Sequence, residues 1–231
     1  LKWIQDNTEN GVNVGYDARL HRANWVKSAK KSLGNNLTLV SISENPIDLY
    51  WDEKPAAKYE KALLLDEKFT GKSSVDKRNE IATALKIQNV DAAFLTQLDS
   101  IAWLLNIRGN DVPCNPVLLC HGLLHSNGSF DLFIDNNKIP NGFHDHVGPN
   151  VSVYAPSKIS QILKDLSGKK IQLDANRSNI WAQKMIQDAG ATLIEKDDPC
   201  TLPKACKNDV EIQGMKNCHI RDATAVCQFL S

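Results

Sequence analysis

Strand-like and helix-like segments alternate along most of this chain, and that alternation restricts the available folds more than any other feature. Short apolar runs at 12–16, 37–42, 92–96, 117–124, 130–134, 151–154, 171–174 and 192–195 read as strands. Between them, residues 22–33 put Val26, Ala29 and Leu33 on one helical face, with Gly34 as the stop. Residues 74–88 turn Val75, Ile81, Ala82 and Leu85 inward behind the candidate caps Ser73 and Ser74. Further helices are predicted over 1–6, 98–106, 178–189 and from Ser157, where Ile159, Ile162, Leu163 and Leu166 align. Ser126-Asn127-Gly128-Ser129 lies between two strand-like runs, and Asn-Gly there signals a hairpin. An antiparallel pair inside an alternating pattern implies an α/β fold with a mixed sheet flanked by helices.

An internal similarity divides the chain. Asp17-Ala18, Trp25 and Gly34 match Asp174-Ala175, Trp181 and Gly190 in the same strand, helix, strand order, with the same Trp-to-Gly interval. Two tandem copies of one domain follow, the first represented only by its closing unit. The polar stretch 52–57, with Pro55 inside it, marks the boundary. Asn208 and Glu211 form a box-like helix start, and Ile212, Met215, His219, Val226 and Phe229 continue at helical spacing without a stop signal. Ile212, Met215, Val226, Phe229 and Leu230 are expected to pack on a part of the protein beyond this chain.

Twenty-seven basic residues balance 27 acidic ones, which gives no overall field for binding nucleic acid or anionic membrane. The uncharged stretch 112–130 is broken by Pro113, Pro116, His121, Gly122 and His125, so it reads as buried strands and not as a membrane span. No secretory pattern opens the chain, which begins at Leu1, and a cytoplasmic protein is expected. Six dispersed cysteines without a C-x-x-C pair read as reduced, mostly buried thiols.

Chemical motifs are sparse. G-x-S-x-G, G-x-G-x-x-G and Walker loops are absent, so neither a serine nucleophile nor nucleotide binding is indicated. His121 and His125 are four apart, but on a strand and without a Glu, a weak metal pattern. His144-Asp145-His146 reads as a solvated, Gly-flanked loop of unassigned role. Trp25, Trp51, Trp103 and Trp181 are expected in the core, and Lys54, Lys58, Lys61, Lys68 and Lys72, interleaved with acids, on a solvated face. Gly109-Asn110 suits a tight turn, which Arg108 and Asp111 either bridge or project toward a neighbouring domain.

The run Leu98-Asp99-Ser100-Ile101-Ala102-Trp103-Leu104-Leu105-Asn106-Ile107-Arg108-Gly109-Asn110-Asp111, continuing to Val117, resembles the middle domain of the long, three-domain Xaa-Pro aminopeptidases. The segment from Asn45 to Trp51 is similar to the end of their first domain, and that from Lys207 to Met215 to the entry helix of their catalytic domain. Pro46 and Cys120-His121-Gly122 depart from the family pattern. The resemblance implies creatinase/prolidase N-terminal-like domains, divided as 1–54 (end of the first), 55–200 (the second) and 201–231 (linker and first catalytic-domain helix). It implies a parent that releases the residue before proline from a peptide substrate, using two divalent metal ions, usually manganese, in a later domain. This chain itself would hold no metal ligand or general base and would be inactive. It would shape substrate access through Arg108, Asp111 and His121, contact its own catalytic domain and support a homodimer. The alternative is a protein-binding module from a catalytically dead relative.

Overall fold

The computed structural model describes residues 1–55 and 60–231. Lys58 of the predicted charged face, and residues 56 and 57 of the boundary stretch, lie outside them. The chain opens with α1 (Lys2–Asp6), β1 (Asn13–Asp17), α2 (Ala23–Leu33), β2 (Thr38–Ile42) and α3 (Pro46–Tyr50). Strands β1 and β2 pair in parallel around the α2 crossover, and Ala23, Val26, Ala29 and Leu33 bury the predicted face. Asn45 does more than end β2: its side chain accepts a hydrogen bond from the Ile47 amide and caps α3, with Pro46 in the first turn.

The remainder comprises β3 (Leu63–Leu64), α4 (Glu67–Thr70), α5 (Ser74–Ile87), β4 (Ala92–Leu95), α6 (Leu98–Leu104), β5 (Ile107–Arg108), β6 (His121–His125) and β7 (Phe130–Phe133). Then come α7 (Phe143–Val147), β8 (Val151–Tyr154), α8 (Ile159–Lys164), β9 (Lys170–Leu173), α9 (Ile180–Asp188), β10 (Thr192–Glu195), α10 (Thr201–Ala205) and α11 (Asp209–Leu230). Six strands form a mixed sheet in the order β10-β9-β4-β6-β7-β8, with the predicted β6–β7 hairpin antiparallel within it. Strand alternation sends Leu124, Phe130 and Leu132 to one core, with Ile81 and Leu85 of α5 and Ile101 and Leu104 of α6. Leu123, Phe133 and Phe94 go to the other, under Leu163 of α8 and Ile186 of α9. At roughly 2 kcal/mol per fully buried Leu or Phe, these two faces supply most of the driving force.

The two similar units meet through reciprocal backbone bonds. Ala23 N–H donates to Ser178 O while Ile180 N–H donates to His21 O, and Asn24 N–H donates to Ala175 O while Trp181 N–H donates to Ala18 O. Each pair keeps the offset that relates Asp17 to Asp174. In this register Trp181 stands opposite Asn24 and not Trp25, so the two tryptophans are not structurally equivalent.

Other expectations need correction. The predicted strand 117–124 is β only from His121, because Asp111 captures the preceding segment: its N–H donates to Val117 O, and its Oδ2 accepts from the Leu119 amide at 2.6 Å. His144 to His146 belong to the short helix α7, not a loop. Trp103 is buried, but Trp25 and Trp51 are 39% and 49% exposed, and four of the six cysteines are exposed.

Candidate functional site

The site begins where α6 ends. Asn106 adopts φ +54°, a conformation Asn tolerates, and turns the chain into β5, where Arg108 pairs with Leu63. The predicted tight turn at Gly109-Asn110 does not form: the chain leaves β5 through residues 109 and 110 without turning, and neither has positive φ. Glycine is needed at 109 for a different reason: a Cβ there would lie 2.2 Å from Leu118 Cδ2.

Arg108 and Asp111 do not bridge one another. The Arg108 guanidinium donates to Ala102 O at 2.9 Å and Ile107 O at 2.8 Å. Asp111 pairs with Lys138 at 2.5 Å, and both side chains are almost wholly buried. Asp111 is therefore placed to hold the 109–119 segment in shape. Arg108 instead lines a cavity of about 230 Å³ with Trp103, Pro116, Lys204, Lys207 and Glu211. A larger open depression of about 850 Å³ lies between the ends of β1 and β2 and Trp181, remote in sequence from this turn.

Glu211 comes from the first turn of α11, whose Asn208 side chain caps Glu211 N–H while the Glu211 carboxylate accepts from Asn208 N–H. Asn208 also donates through Nδ2 to Thr70 O at 2.8 Å. That approach is close: a Cβ on Gly71, already at φ +64°, would stand 2.6 Å from Asn208 Oδ1. Arg108 thus lies beside the helix that starts at Asn208, with its guanidinium half-buried.

Beneath Arg108 lies a group the sequence reading missed. Lys77 of α5 is 1% exposed; its Nζ donates to Asn106 Oδ1 at 2.7 Å and Trp103 O at 3.1 Å and sits 4.6 Å from the Trp103 ring centroid. Burial lowers its pKa from 10.5 to about 8, with Glu211 opposing the shift and the Arg108 and Lys72 charges adding to it. Arg108 is likewise lowered by burial and partly restored by Glu211. Asn106 completes the cluster, donating through Nδ2 to Lys72 O, while its carbonyl accepts from Leu65 N–H and from His146 Nε2 at 3.0 Å. A carbonyl only accepts, so this contact places the His146 proton on Nε2. Neighbouring Arg78 is also buried and donates to Gly128 O, Val147 O and Pro149 O, tying the hairpin to the end of α7. The missed signal was periodicity: Lys77 and Arg78 fall on the face carrying Ile81, Ala82 and Leu85.

His121 is not part of this cluster. It lies on the opposite face of the six-stranded sheet, stacked 5.9 Å from Phe94, and burial lowers its pKa. His125, at the other end of β6, bonds Asp131 at 2.8 Å, and His144 is exposed. Among the described residues no three His, Cys, Asp or Glu side chains converge closely enough to hold a metal ion. The residues present therefore do not fit a metal pair. The cavity's charges are largely spoken for: Lys204 pairs with Asp99, and Arg108 bonds backbone carbonyls while lying within reach of the Glu211 charge. The arrangement can hold one segment against another.

Residues 53–211 match the creatinase/prolidase N-terminal domain family. Across 99% of its length the chain is 35% identical to Xaa-Pro aminopeptidase 1 of Dictyostelium discoideum, and across all of it 32% identical to the probable Xaa-Pro aminopeptidase P of Aspergillus oryzae. It spans only 38% and 36% of those proteins. The crystal structure of X-prolyl aminopeptidase from Caenorhabditis elegans, described as a cytosolic enzyme with a di-nuclear active site, superposes with a TM-score of 0.89 at 29% identity. That superposition covers 99% of this chain and 38% of the worm enzyme. A mixed sheet flanked by helices and a family match over most of the residues lead to one conclusion: the chain belongs to the creatinase/prolidase N-terminal domain family.

Proposed function

We propose that this chain is the non-catalytic N-terminal portion of an Xaa-Pro aminopeptidase, a hydrolase that releases the residue preceding proline from peptides. The observation that supports it is the likeness to the Dictyostelium and worm enzymes over nearly every residue of this chain. In this reading residues 1–54 close a first domain, 55–200 form a second, and 201–231 lead into the catalytic domain. Two divalent metal ions, manganese among the candidates, belong to that later domain, and no chemical step falls to this chain. The parent acts in the cytosol as a homodimer.

The role proposed here for the Arg108 cluster is to hold the first turn of α11 in a fixed direction. That fixes the catalytic domain relative to the second domain and so shapes the approach to its active-site mouth. Asp111 supports this indirectly by pinning the 109–119 segment, and His121 contributes from the far face through the sheet core. The test is kinetic. In the full-length parent, Arg108→Ala should lower kcat/KM for an Xaa-Pro peptide about tenfold or more while shifting the melting temperature of the 231-residue chain by only a few degrees. Unchanged kinetics with a large loss of stability would reduce Arg108 to a structural residue. The isolated chain should cleave no Xaa-Pro peptide with manganese added, and turnover by highly purified chain would overturn the assignment.

A further inference from the structure

A second cavity, of about 470 Å³, opens at the other pole of the six-stranded sheet. Strand β4 runs from Ala92 at this pole toward α6 and Arg108, so the two sites are separated by the length of the sheet. The cavity lies on the α8 side. Its floor is apolar: Ala92 and Ile171, paired across β4 and β9, are 1% and 0% exposed, and Ile162, Leu166 and Tyr154 complete it. The volume falls in the range of small-molecule sites.

Its rim carries one dominant charge. Among the described residues Asp91, Asp131 and Asp165 face it, against one ammonium, that of Lys169. Asp131 is anchored through Oδ2 to His125 Nε2 at 2.8 Å, and Asp91 through Oδ2 to the Lys170 amide at 2.8 Å. Among the described residues the second oxygen of each carboxylate has no hydrogen-bond donor, and the Asp165 carboxylate has none on either oxygen. Asp91 and Asp131 are thus held in place with acceptor capacity to spare, and Asp165 is free to turn toward the opening. An anion is disfavoured by this rim, and a wholly polar solute gains nothing from the floor. A bare metal ion is disfavoured because the carboxylates are spread around the opening without converging.

We propose that this cavity binds an ammonium group carried on an apolar body, the apolar part on the Ala92, Ile171 and Leu166 floor and the N–H donors on Asp91 and Asp131. Tyr154, whose ring stacks on Phe133 at 5.9 Å, adds an aromatic wall suited to a cation or a second ring. Because the site is remote from Arg108, this inference stands or falls separately from the proposed aminopeptidase role.

The test is an NMR titration of the 231-residue chain with phenethylamine near neutral pH, with 2-phenylethanol and phenylacetate as neutral and anionic counterparts. Phenethylamine should give saturable amide shifts confined to residues 91–92, 125–131 and 162–171. Binding of 2-phenylethanol should be about tenfold weaker, and phenylacetate should not bind. Asp165→Asn, which disturbs no hydrogen bond of the fold, should weaken phenethylamine binding several-fold, and Asp131→Asn more, while Arg108→Ala leaves it unchanged. Nα-acetyl-lysine methylamide, run in parallel, distinguishes a free arylalkylamine from a lysine side chain of a peptide, and tighter binding of either identifies the source. Equal affinity for amine and alcohol, shifts scattered over the surface, or no saturable binding of any amine would overturn the proposal.

Discussion

Lys77 shows what one residue can impose on the molecule. Its ammonium is bonded to neutral oxygens and an aromatic ring, and Glu211 is its one anionic neighbour of consequence. A lysine whose pKa drops from 10.5 unfolded to about 8 folded costs stability in full below about pH 8, where both states hold the proton. Between about pH 8 and 10.5 the native state has released the proton while the unfolded chain still binds it, so this cost is relieved as pH rises. Relative to Lys77→Met, the natural chain should therefore gain about 2 kcal/mol between pH 7 and 10. Urea melts of both proteins at the two pH values measure it, and a pH-independent difference would show that Lys77 is not held at a depressed pKa. Asp111 makes the opposite case, a buried charge with a paired cation. Asp111→Ala takes a carboxylate away from the buried Lys138 ammonium and should cost about 3–5 kcal/mol, whereas Asp111→Ala with Lys138→Met should recover a good part of that loss. Thermal melts of the single and double variants decide between a paired charge and a merely tolerated one.

The element that depends most on its surroundings is α11. It runs for 22 residues with no buried side chain, and Met215, Val226, Phe229 and Leu230 are among its exposed apolar residues. What ties it to the remainder is its first turn: the Asn208–Glu211 box, the bond from Asn208 to Thr70, and the close seat at Gly71. Asn208→Ala should cost about 1 kcal/mol and speed amide hydrogen exchange over residues 209–213. Gly71→Val should act more severely on the same segment, since it adds a left-handed β-branched residue to a clash with Asn208. If exchange there stays unchanged in both variants, the anchor lies elsewhere.

For the whole molecule, the unit from α1 to α3 is the weaker partner. Its two-stranded sheet is too small to stand alone, and its core is completed by Ala175 and Ile180 from the larger unit. Four reciprocal backbone bonds and the Lys27–Glu195 ion pair join the two. A peptide of residues 1–54 should therefore give the circular dichroism of an unfolded chain, whereas residues 60–231 should keep a cooperative melt. A folded 1–54 peptide would mean that its own core suffices.

Local signals in the sequence carry most of the architecture. The hairpin at Asn127-Gly128, the apolar face of α2, the cap at Ser73 and the box at Asn208 each act within a few residues, and all take the form that their local chemistry dictates. The motif run from Leu98 to Val117 likewise pointed to the right family. What tertiary structure decided is the fate of polar groups whose partners are distant in the chain. Lys77 and Arg78 were legible as members of a buried face only once a charged residue on that face is allowed to find carbonyls 26 to 71 residues away. The pairing of Asp111 with Lys138 instead of Arg108, the loss of the strand before His121, and the separation of His121 from Arg108 follow from the same cause. A backbone pattern repeats within two to four residues and can be read along the chain, but the desolvated charge takes whichever partner the closed fold brings nearest.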